Sequence, residues 1–544
     1  MLTGMKPLAW DATMERTGYK AAYPALYARI LRGIIDGVDV DFTGDRTTPR
    51  YGANIPILPE YEEKVSAVIA ADCASGKKAG PFATPPFPNI VVSPIGAVPK
   101  KASGKIRVIH HLSYPFKGDS VNASIEEEYL PLSRFADAAC AVRDIGRGCM
   151  LVKLDVEAAY KQVPVRRADW PLLGFKWQGS YYYERVLPFG LKSSCRIWDW
   201  YAAALHYFFE REGVGTVIHY IDDFLFVVKG DAQATHLRDV ALSLCVQLGI
   251  PMAASKTEGP TACLTFLGIE LDTLRMRARL PDERLAALQQ LTLDWRSKSS
   301  ATVKELQSLA GTLQFAASVV RPGRFFLRSI FAMAATMDRH PSATRHKQWA
   351  LTPAVRADVA WWGEFTPGWN GISLLYEKEW VDAERIEFFT DACKSGYGAL
   401  FGTEWFEARW SPEQSAAAMR KSRESMPFLE LFALVAAALT WGHAWGGKKI
   451  RFRTDCEPVM YACNKGSSDD PGMMHLLGQL ALHACRHNYD FRAVHIPGVD
   501  NVVADILSRD GACAQFRAAC PRAALLPTPI APLLLPPHNP AQRR

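Results

Sequence analysis

The stretch that decides the fold is TVIHYIDDFLFVVK, residues 216–229, which sets two adjacent aspartates, Asp222 and Asp223, in the middle of an apolar run. The β-branched and aromatic residues on both sides predict strands. Neighbouring residues of a strand face opposite ways, so the two carboxylates can serve one site equally only at the tip of a hairpin. An ionised carboxylate in apolar surroundings is costly unless a partner or a metal ion neutralises it.

A second stretch of the same kind, LVKLDVEAAY at 151–160, carries Asp155 at the end of an apolar strand. Two or three carboxylates that converge from different strands can hold a pair of Mg²⁺ ions about 3.5–4 Å apart, an arrangement that serves in-line phosphoryl displacement. For a single aspartate of this kind, a helix cap or a surface strand end is the simpler interpretation. Two such strands in one domain favour a metal site.

The surrounding segments predict a mixed unit of helices and strands. IVVSPIGAVPK at 90–100 and KIRVIHHL at 105–112 flank a Ser-Gly turn and predict a hairpin. Helical periodicity predicts helices over Tyr61–Cys73, from about Ser194 to Glu212, and over Thr302–Val320.

The pattern restarts after residue 384. IEFFTDAC, YGALFG and WFEARW predict three short strands, PFLELFALVAAALTWGHAW a buried helix, KKIRFRTDC and YDFRAVHIPG two further strands, and NVVADILSR a last helix. Four acids stand on four of these elements with few basic residues beside them: Asp391, Glu430, Asp455 and Asp505. Such a set in apolar surroundings favours a second divalent metal site over salt bridges.

The composition is that of a folded protein. The 544 residues are 49% hydrophobic and 22% charged, which at about 150 residues per domain suggests roughly three to four domains and excludes collagen, coiled-coil and disordered architectures for the whole chain. The formal net charge of +7 permits a polyanionic partner without requiring one. The twelve cysteines include no C-x-x-C pair, so a zinc ribbon is not indicated.

We expect no membrane partner and an intracellular location, in the cytoplasm or the nucleus. No window approaches the roughly 18 uninterrupted apolar residues of a membrane helix. The first ten residues, MLTGMKPLAW, lack the basic start and apolar run of a secretory signal. The last residues, 511–544, are rich in Pro and Ala and are expected to be disordered.

YIDD at 220–223, LDVEAAY at 154–160 and LPFGLKSS at 187–194 together resemble the catalytic core of reverse transcriptases. SPIGAVPKK with KIRVIHHLS, and ASKTEG followed by FLGIELD, add to the resemblance. It implies a right-hand polymerase of fingers, palm and thumb. It also implies that Asp155, Asp222 and Asp223 bind the metal ions, with a secondary role for Asp223 as the alternative.

The same resemblance implies a nucleotide site made by six residues, which are Lys105, Arg107, Tyr160, Phe189, Gly190 and Lys256. Lys105 and Arg107 match basic contacts to the incoming triphosphate, and Phe189 and Gly190 match the loop beside the nucleotide. Tyr160 matches the aromatic gate that excludes a ribose 2′-OH, or else is a plain core aromatic. Lys256 matches a lysine that assists the departure of pyrophosphate, or else is a solvated loop lysine. The run His110-His111-Leu112 departs from the Asp-aromatic-Arg pattern that is usual in the family.

The order strand-Asp, helix-Glu, strand-Asp, helix-Asp of the last domain resembles ribonuclease H, and TDACKSGYGA, TDCEP and HIPGVDNVVADILSR are similar to that family's blocks. This implies that Asp391, Glu430, Asp455 and Asp505 hold two Mg²⁺ ions, with Mn²⁺ as the alternative, and cleave the RNA strand of an RNA–DNA hybrid. His495 stands in a predicted strand before the short turn PGVDN. We therefore expect His495 to be structural and the mobile auxiliary histidine of many cellular members to be absent, which would slow cleavage.

ELQSLAGTLQFAASVVRPGRFFLRSIF at 305–331, HYIDDFLF and HHLSYPFKGDSVN are similar to the tyrosine-recombinase retrotransposons, the DIRS-like group. Arg321, Arg324 and Arg328 in the thumb region are candidate contacts to template–primer phosphates, with a solvated helix face as the alternative. No aspartic-protease, integrase or recombinase motif is recognisable, so integration is expected to need a separate recombinase chain.

The expected architecture is α/β and α+β multidomain, a right-hand polymerase followed by a connection and a ribonuclease H-like domain. The expected segments, in order, are an N-terminal segment, fingers with palm, thumb, connection, ribonuclease H-like domain and tail, at 1–54, 55–275, 276–335, 336–384, 385–510 and 511–544.

The expected function is that of an RNA-directed DNA polymerase of a retrotransposon, which binds an RNA template, a DNA primer, dNTPs and the RNA–DNA hybrid. The alternative is a decayed or domesticated protein that only binds nucleic acid, and a third hypothesis is a polymerase that copies DNA. All seven candidate metal ligands are present, which argues against decay.

Overall fold

A computed structural model describes residues 3–99, 106–116, 118–213, 215–340, 346–369, 372–375, 377–420, 423–509 and 511–535. The chain divides into two compact units, Met1–Phe266 and Leu267–Arg544. Of the predicted site residues, Lys105 lies outside the described residues, as does the side chain of Arg321.

The first unit combines helices and strands. Its helices are α1 (Pro7–Arg16), α2 (Tyr19–Ala22), α3 (Pro24–Asp36), α4 (Pro59–Ala74), α5 (Phe135–Ile145), α6 (Ser194–Glu212) and α7 (Asp231–Leu248). Its strands are β1 (Arg50–Tyr51), β2 (Lys78–Phe82), β3 (Val91–Val92), β4 (Ile95–Pro99), β5 (Ile106–His110), β6 (Met150–Asp155), β7 (Gly174–Trp177), β8 (Ser180–Glu184), β9 (Thr216–Tyr220), β10 (Asp223–Val228), β11 (Glu258–Thr261) and β12 (Cys263–Phe266).

A four-stranded sheet in the order β11-β6-β10-β9 carries the predicted acidic strands. All five residues from Phe224 to Val228 of β10 are fully buried, as expected for an unbroken apolar run in a central strand. Helix α6, which has the predicted bounds, covers this sheet with a buried face that includes Trp198, Phe208 and Phe209. Helices α1, α3 and α7 contribute to the same core, so the acidic strands rest on a rigid support.

A second sheet, in the order β1-β3-β7-β8-β2, and the hairpin β4–β5 complete the first unit. The hairpin pairs Ile95 with His110, which confirms the predicted pairing of the segments on either side of the Ser-Gly turn. Helix α4, predicted from its periodicity, packs Val65 and Ile69 against the hairpin in a small separate core.

The second unit has a longer list of elements. Its helices are α8 (Asp282–Ser297), α9 (Val303–Ala317), α10 (Arg328–Arg339), α11 (Pro353–Gly368), α12 (Pro412–Ala418), α13 (Met426–Trp441), α14 (Glu457–Lys465), α15 (Pro471–His487), α16 (Val502–Arg509) and α17 (Ala514–Ala519). Its strands are β13 (Ile269–Asp272), β14 (Arg277–Arg279), β15 (Ser300–Ala301), β16 (Trp349–Ala350), β17 (Ile372–Leu374), β18 (Trp380–Asp382), β19 (Phe388–Ala392), β20 (Gly396–Phe401), β21 (Glu404–Arg409), β22 (Met419–Arg420), β23 (Arg423–Glu424), β24 (Lys449–Thr454) and β25 (Asp490–His495).

Helices α8 to α11 form the first part of this unit. Helix α9 begins with a capping box, in which Thr302 and Glu305 satisfy each other's backbone amides, so the predicted helix over Thr302–Val320 starts where expected. Helix α11 packs against α8 and α10. The ring of Trp361 in α11 stacks on the ring of Phe326, with the ring centres 3.6 Å apart.

The later part of the second unit contains an antiparallel meander, β19-β20-β21, and a parallel sheet in the order β18-β24-β25. Helices α13 and α15 bury their apolar faces on these strands in one core, and α16 packs on β19 and β20. This is the succession of three strands followed by alternating helices and strands that the sequence predicted. It places β19, α13, β24 and α16, the four acid-bearing elements, in one domain.

Helix α13 is unusually apolar. With the turn that follows, it forms a 20-residue stretch, Met426–Trp445, whose most apolar 18 residues have a mean hydropathy of 1.4 and which by length and composition alone could cross a membrane. In the structure 72% of its most apolar window is buried inside the unit. It is therefore the core helix on which the meander packs, and its burial explains its composition.

The expectation of a disordered tail is wrong for residues 511–535. Helix α17 buries Phe516 completely, and Ala524 N donates a hydrogen bond to Thr403 O at 2.8 Å. Leu533 packs against the main core of the unit. A few apolar anchors thus hold a segment whose Pro/Ala-rich composition is typical of disorder.

Candidate functional site

The two acidic strands of the first unit meet as antiparallel partners. Asp223, the first residue of β10, lies opposite Asp155, the last residue of β6. Asp223 also pairs with Tyr220 of β9, so Ile221 and Asp222 form a two-residue turn. Asp222 is therefore at the tip of a hairpin, which is the condition the sequence set for adjacent carboxylates to share one site.

Two hydrogen bonds that the sequence did not predict hold this hairpin tip. Ile221 has a left-handed backbone conformation, with φ 57°, which a β-branched residue rarely adopts. Its carbonyl accepts a bond from Trp198 Nε1 at 2.8 Å, and the carbonyl of Asp222 accepts one from Val156 N at 2.9 Å. The strained turn is thus fixed by its surroundings, as is common at functional sites.

The charge of Asp155 acts on the other two carboxylates of the set, Asp222 and Asp223. Asp155 is 4% exposed. Burial, followed by the charge of Asp155, raises the pKa of Asp222. Burial, followed by the charges of Asp222 and Asp155, raises the pKa of Asp223 to about 6. A close set of carboxylate oxygens whose negative charges are only partly balanced by the chain suits a hard divalent cation.

Lys256 contributes a positive charge to this set. Its Nζ donates a hydrogen bond to Asp155 Oδ2 at 2.7 Å. Burial opposes the charged form, but the bond to Asp155 and the charges of Asp222 and Asp223 outweigh it and raise the pKa of Lys256. The lysine therefore lies in the carboxylate cluster, although its side chain is 61% exposed.

Arg107, Tyr160 and Phe189 lie side by side next to the carboxylates. The guanidinium of Arg107 is 4.7 Å from the ring centre of Phe189, and the rings of Phe189 and Tyr160 are 5.1 Å apart. Burial, followed by a hydrogen bond with Cys195, raises the pKa of Tyr160, so its hydroxyl stays neutral. The charge of Arg107 acts on both Tyr160 and Asp222, which places the predicted nucleotide contacts and the acids in one site.

Gly190 lets the loop after Phe189 approach β5. Its φ is +107°, and a Cβ there would overlap the carbonyl oxygen of His110. His110 N donates to Phe189 O at 3.1 Å, and Asn122 Nδ2 donates to Gly190 O at 2.8 Å. His110, part of the run that departs from the family pattern, is buried with Nε2 3.0 Å from Gly174 O. Through its backbone amide His110 supports the loop at Phe189. The sequence did not predict this role.

Three of the four acids of the second unit converge. Asp391 in β19, Glu430 in α13 and Asp455 just after β24 place one carboxylate oxygen each within 4.8 Å of the others. Burial, followed by the charges of Asp391 and Asp455, raises the pKa of Glu430 well above its usual range. Burial raises the pKa of Asp391 to about 6, and the charges of Asp455 and Asp505 add to this increase. The donor set again fits a hard divalent cation.

Asp505 lies outside this group of three. Its Oδ1 accepts a hydrogen bond from Arg509 Nε at 2.6 Å. Its charge still reaches Asp391, so it lies at the edge of the cluster. Its role as a fourth ligand stays a prediction.

Two donors to Asp391 were absent from the sequence analysis. Ser508 Oγ donates to Oδ2 at 2.5 Å, and Asn501 Nδ2 approaches Oδ1 at 3.3 Å. Asn501 lies four residues before Asp505 and Ser508 three residues after it, which is the spacing of neighbours on a helix. That spacing puts all three side chains on one face, and it is the signal that could have found them.

His495 is the last residue of β25 and is exposed. Its Nε2 lies 3.1 Å from the carbonyl oxygen of Asp455, so the imidazole is beside the acid cluster. Its structural role stays a prediction. Arg324 and Arg328, the described arginine side chains of the thumb region, are both exposed.

Comparison with known proteins agrees with the first site. The sequence profile of a family described as "Reverse transcriptase (RNA-dependent DNA polymerase)" matches residues 98–271. This range holds Asp155, Asp222, Asp223 and Lys256. Residues 98–271 match a reverse transcriptase domain. The mixed α/β, multidomain polymerase fold expected from the sequence is thereby confirmed.

Proteins that are similar to the chain in sequence include longer polyproteins. The chain is 22% identical over 377 residues to "Polyprotein P3" of Commelina yellow mottle virus, covering 68% of this chain and 18% of that protein. It is 23% identical over 439 residues to the "Retrovirus-related Pol polyprotein from transposon opus" of Drosophila melanogaster, covering 77% of this chain and 39% of that protein. The chain spans less than half the length of either relative.

Similar solved structures include reverse transcriptases of foamy virus. The foamy viral protease-reverse transcriptase in complex with double-stranded DNA aligns with a TM-score of 0.49 and 14% identity, covering 84% of this chain and 73% of that chain. The same viral protein in complex with an RNA/DNA hybrid aligns with a TM-score of 0.41 and 12% identity, covering 87% and 79%.

Proposed function

We propose that the chain is an RNA-directed DNA polymerase of a retroelement. The observation that carries this is the position of Asp222 at a hairpin tip, with Asp223 paired to Asp155 and with Arg107 and Tyr160 alongside, inside the reverse transcriptase domain. The Pol polyproteins among its relatives support the proposal. Membership of the DIRS-like group, the need for a separate recombinase chain, and a location in the cytoplasm or nucleus remain parts of the proposal.

Each side chain has a proposed part in the reaction. Asp155, Asp222 and Asp223 would hold two Mg²⁺ ions, or Mn²⁺ as the alternative, and these ions would activate the primer 3′-hydroxyl and offset the charge of the triphosphate. Arg107 binds the triphosphate of the dNTP, and Tyr160, supported by Phe189, fills the space where a ribose 2′-OH would sit. Lys256 brings a positive charge to the leaving pyrophosphate. The proposed partners are an RNA template, a DNA primer, dNTPs and the resulting hybrid.

The test is primer extension with Mg²⁺ and dNTPs on an RNA template annealed to a DNA primer, comparing the wild type with Asp222→Asn. We expect extension by the wild type and its loss in the variant, which removes a charge without changing the size of the side chain. A folded wild type that binds the hybrid but does not extend the primer overturns the proposal and leaves a protein that only binds nucleic acid. A strong preference for a DNA template overturns the RNA-directed part.

We further propose that the acids of the second unit cleave the RNA strand of an RNA–DNA hybrid. Asp391, Glu430 and Asp455, with Asp505 as a fourth ligand, would hold two divalent ions that activate water and stabilise the leaving oxygen. The support is the close set of three carboxylates, of which Asp391 is buried, together with the charges of Asp391 and Asp455 that add to the raised pKa of Glu430. The test is cleavage of a hybrid labelled on its RNA strand: Asp391→Asn should lose cleavage and keep primer extension, and Asp222→Asn should show the reverse.

A further inference from the structure

A cavity of about 550 Å³ opens along strand β25 in the second unit. Its lining includes the cationic side chains of Arg324 and Arg492, the rings of Trp380 and His495, and the amide of Asn464. None of the described residues that line it is acidic. A concave surface with arginines, an aromatic ring and no carboxylate favours an anionic ligand.

Arg492 faces another arginine across the sheet. The register of β24 and β25 pairs it directly with Arg451, and like charges in this position destabilise a sheet. Burial, followed by the charge of Arg451, lowers the pKa of Arg492. Within the part of the chain that the structure describes, the Nε atoms of both arginines are buried without a hydrogen-bond partner. Two N–H donors, one from each arginine, thus lie on this part of the sheet without an acceptor among the described residues.

An acidic partner is found for Arg451 but not, among the described residues, for Arg492. Arg451 has a carboxylate of Asp382 at 3.7 Å. The contact found for Arg492 is instead the face of Trp380, 4.4 Å from its guanidinium. The ring of Trp380 also has Lys449 Nζ at 5.4 Å, so the positive charge is concentrated around one tryptophan.

Arg324 reaches the cavity from a separate segment. It belongs to the 3₁₀ turn Arg321–Leu327, which contacts α15 and β25. Phe325 of that turn stacks on Phe491 at 5.4 Å with the ring planes at 15°. Gly466 leaves room for the same ring, since a Cβ there would overlap it. Packing therefore fixes the turn that presents Arg324.

We propose that this cavity binds a backbone phosphodiester of the nucleic acid strand that occupies the ribonuclease H site. The inference rests on the proposed function of that site. His495 lines the cavity while its Nε2 contacts Asp455 O, so the cavity ends beside the acid cluster. Arg492 is paired with Arg451, four residues before Asp455, so a strand with one phosphate at Asp455 passes Arg492 about 13 Å further along β25. Guanidinium groups suit this ligand because they donate two parallel hydrogen bonds to phosphate oxygens.

The test measures the affinity of the full chain for an RNA–DNA hybrid by fluorescence anisotropy over a series of salt concentrations, without divalent metal. Arg492→Gln should weaken binding about tenfold at physiological salt and make the slope of log affinity against log salt shallower by about 0.9, the effect of one phosphate contact. Arg492→Lys should keep most of the slope. The control is Arg522→Gln, which also removes one positive charge from this unit, at a side chain that is 79% exposed and paired with Glu387 at 3.0 Å.

An unchanged slope in Arg492→Gln, or an equal change in Arg522→Gln, overturns the inference, provided that thermal unfolding shows both variants folded. If the wild type extends primers and cleaves hybrids but Arg492→Gln binds normally, only this inference fails. If the wild type does not bind the hybrid, the inference and the proposed function fail together. Calorimetry with inorganic phosphate and with AMP distinguishes a backbone phosphate from a free one. Micromolar binding of AMP that Arg492→Gln removes would overturn the inference and make the cavity a site for free nucleotides.

Discussion

The Nζ of Lys256 lies 2.7 Å from Oδ2 of Asp155, so a cation of the chain already touches the most buried of the three carboxylates Asp155, Asp222 and Asp223. A divalent ion at Asp155 has to compete with this ammonium. We therefore expect Lys256→Gln to lower the Mg²⁺ concentration for half-maximal primer extension several-fold. The maximal rate should fall, because the leaving pyrophosphate loses a positive charge.

The measurement for Lys256 is a Mg²⁺ titration of extension rates. Lys256→Arg keeps the charge and should resemble the wild type. Lys20→Gln removes a lysine that pairs with Glu15 at 2.8 Å, and it serves as the control for a simple loss of charge. A higher Mg²⁺ requirement in Lys256→Gln would show that the lysine assists metal binding and would contradict the prediction.

Gly190→Ala should disrupt the nucleotide loop, because a Cβ at φ +107° would overlap the carbonyl oxygen of His110. We expect loss of primer extension with hybrid cleavage intact. Gly179→Ala is the matched control. Gly179 also has a positive φ, +84°, but a Cβ there meets nothing within 4 Å, so its cost should be limited to about 1 kcal/mol of backbone strain. Equal loss of extension in both variants would show that strain alone is responsible.

The carboxylates themselves could be predicted from the sequence, since acids inside apolar strands are conspicuous. The hairpin tip at Asp222 could be stated only as a condition, because no Gly, Pro or Asn marks a turn between β9 and β10 in the sequence. The turn depends on Ile221 adopting φ 57°, a conformation stabilised by Trp198 and Val156 from other elements. Such long-range hydrogen bonds leave no local pattern in the sequence.

Ser508→Ala should impair the proposed ribonuclease H site without changing its carboxylates. Ser508 Oγ donates to Asp391 Oδ2 at 2.5 Å, and this bond opposes the burial that raises the pKa of Asp391. Without it, Asp391 should ionise less readily and be held less firmly. We expect hybrid cleavage to fall by about ten- to a hundredfold, the usual effect of removing a partner of a metal ligand. Normal primer extension by the same variant is the internal control, and unchanged cleavage would contradict the prediction.

His110 should make the chain less stable in acid. Burial lowers the pKa of His110 to about 3, whereas in the unfolded chain its pKa is near 6.5. Between these values the unfolded chain binds a proton that the folded chain does not, so the free energy of unfolding falls as the pH falls. The contribution approaches about 1.4 kcal/mol per pH unit below pH 6.5.

The measurement for His110 is urea unfolding of the full chain at several values from pH 7.5 to 4.5, compared with His110→Gln, which does not titrate. Asp223 and Asp391, whose pKa values are raised to about 6, act in the opposite direction because the folded chain binds their protons first. Their contribution is the same in both proteins, so it cancels when the free energy of unfolding of the variant is subtracted from that of the wild type at each pH. Parallel curves for the two proteins would refute the assignment to His110.

The tail shows why composition misleads at a domain edge. Pro and Ala predict disorder because they supply little apolar area per residue. Order here depends on a few side chains, such as Phe516 and Leu533, that fit existing cores. These contacts are made with residues that are distant in the sequence. The sequence of the tail alone could therefore not predict them.

Phe516→Ala should destabilise the second unit. Phe516 is fully buried, its ring lies 5.4 Å from that of Trp405, and its cluster includes Ile506 and Leu507 of α16. Truncation of a buried phenylalanine costs about 3–5 kcal/mol. Since α16 also carries Asp505, hybrid cleavage should become more sensitive to temperature than primer extension. Thermal unfolding and the two activities measured from 20 to about 50 °C provide the test. Phe116→Ala, at a side chain that is 69% exposed, should change neither, and equal effects of the two substitutions would show that the tail does not support the domain.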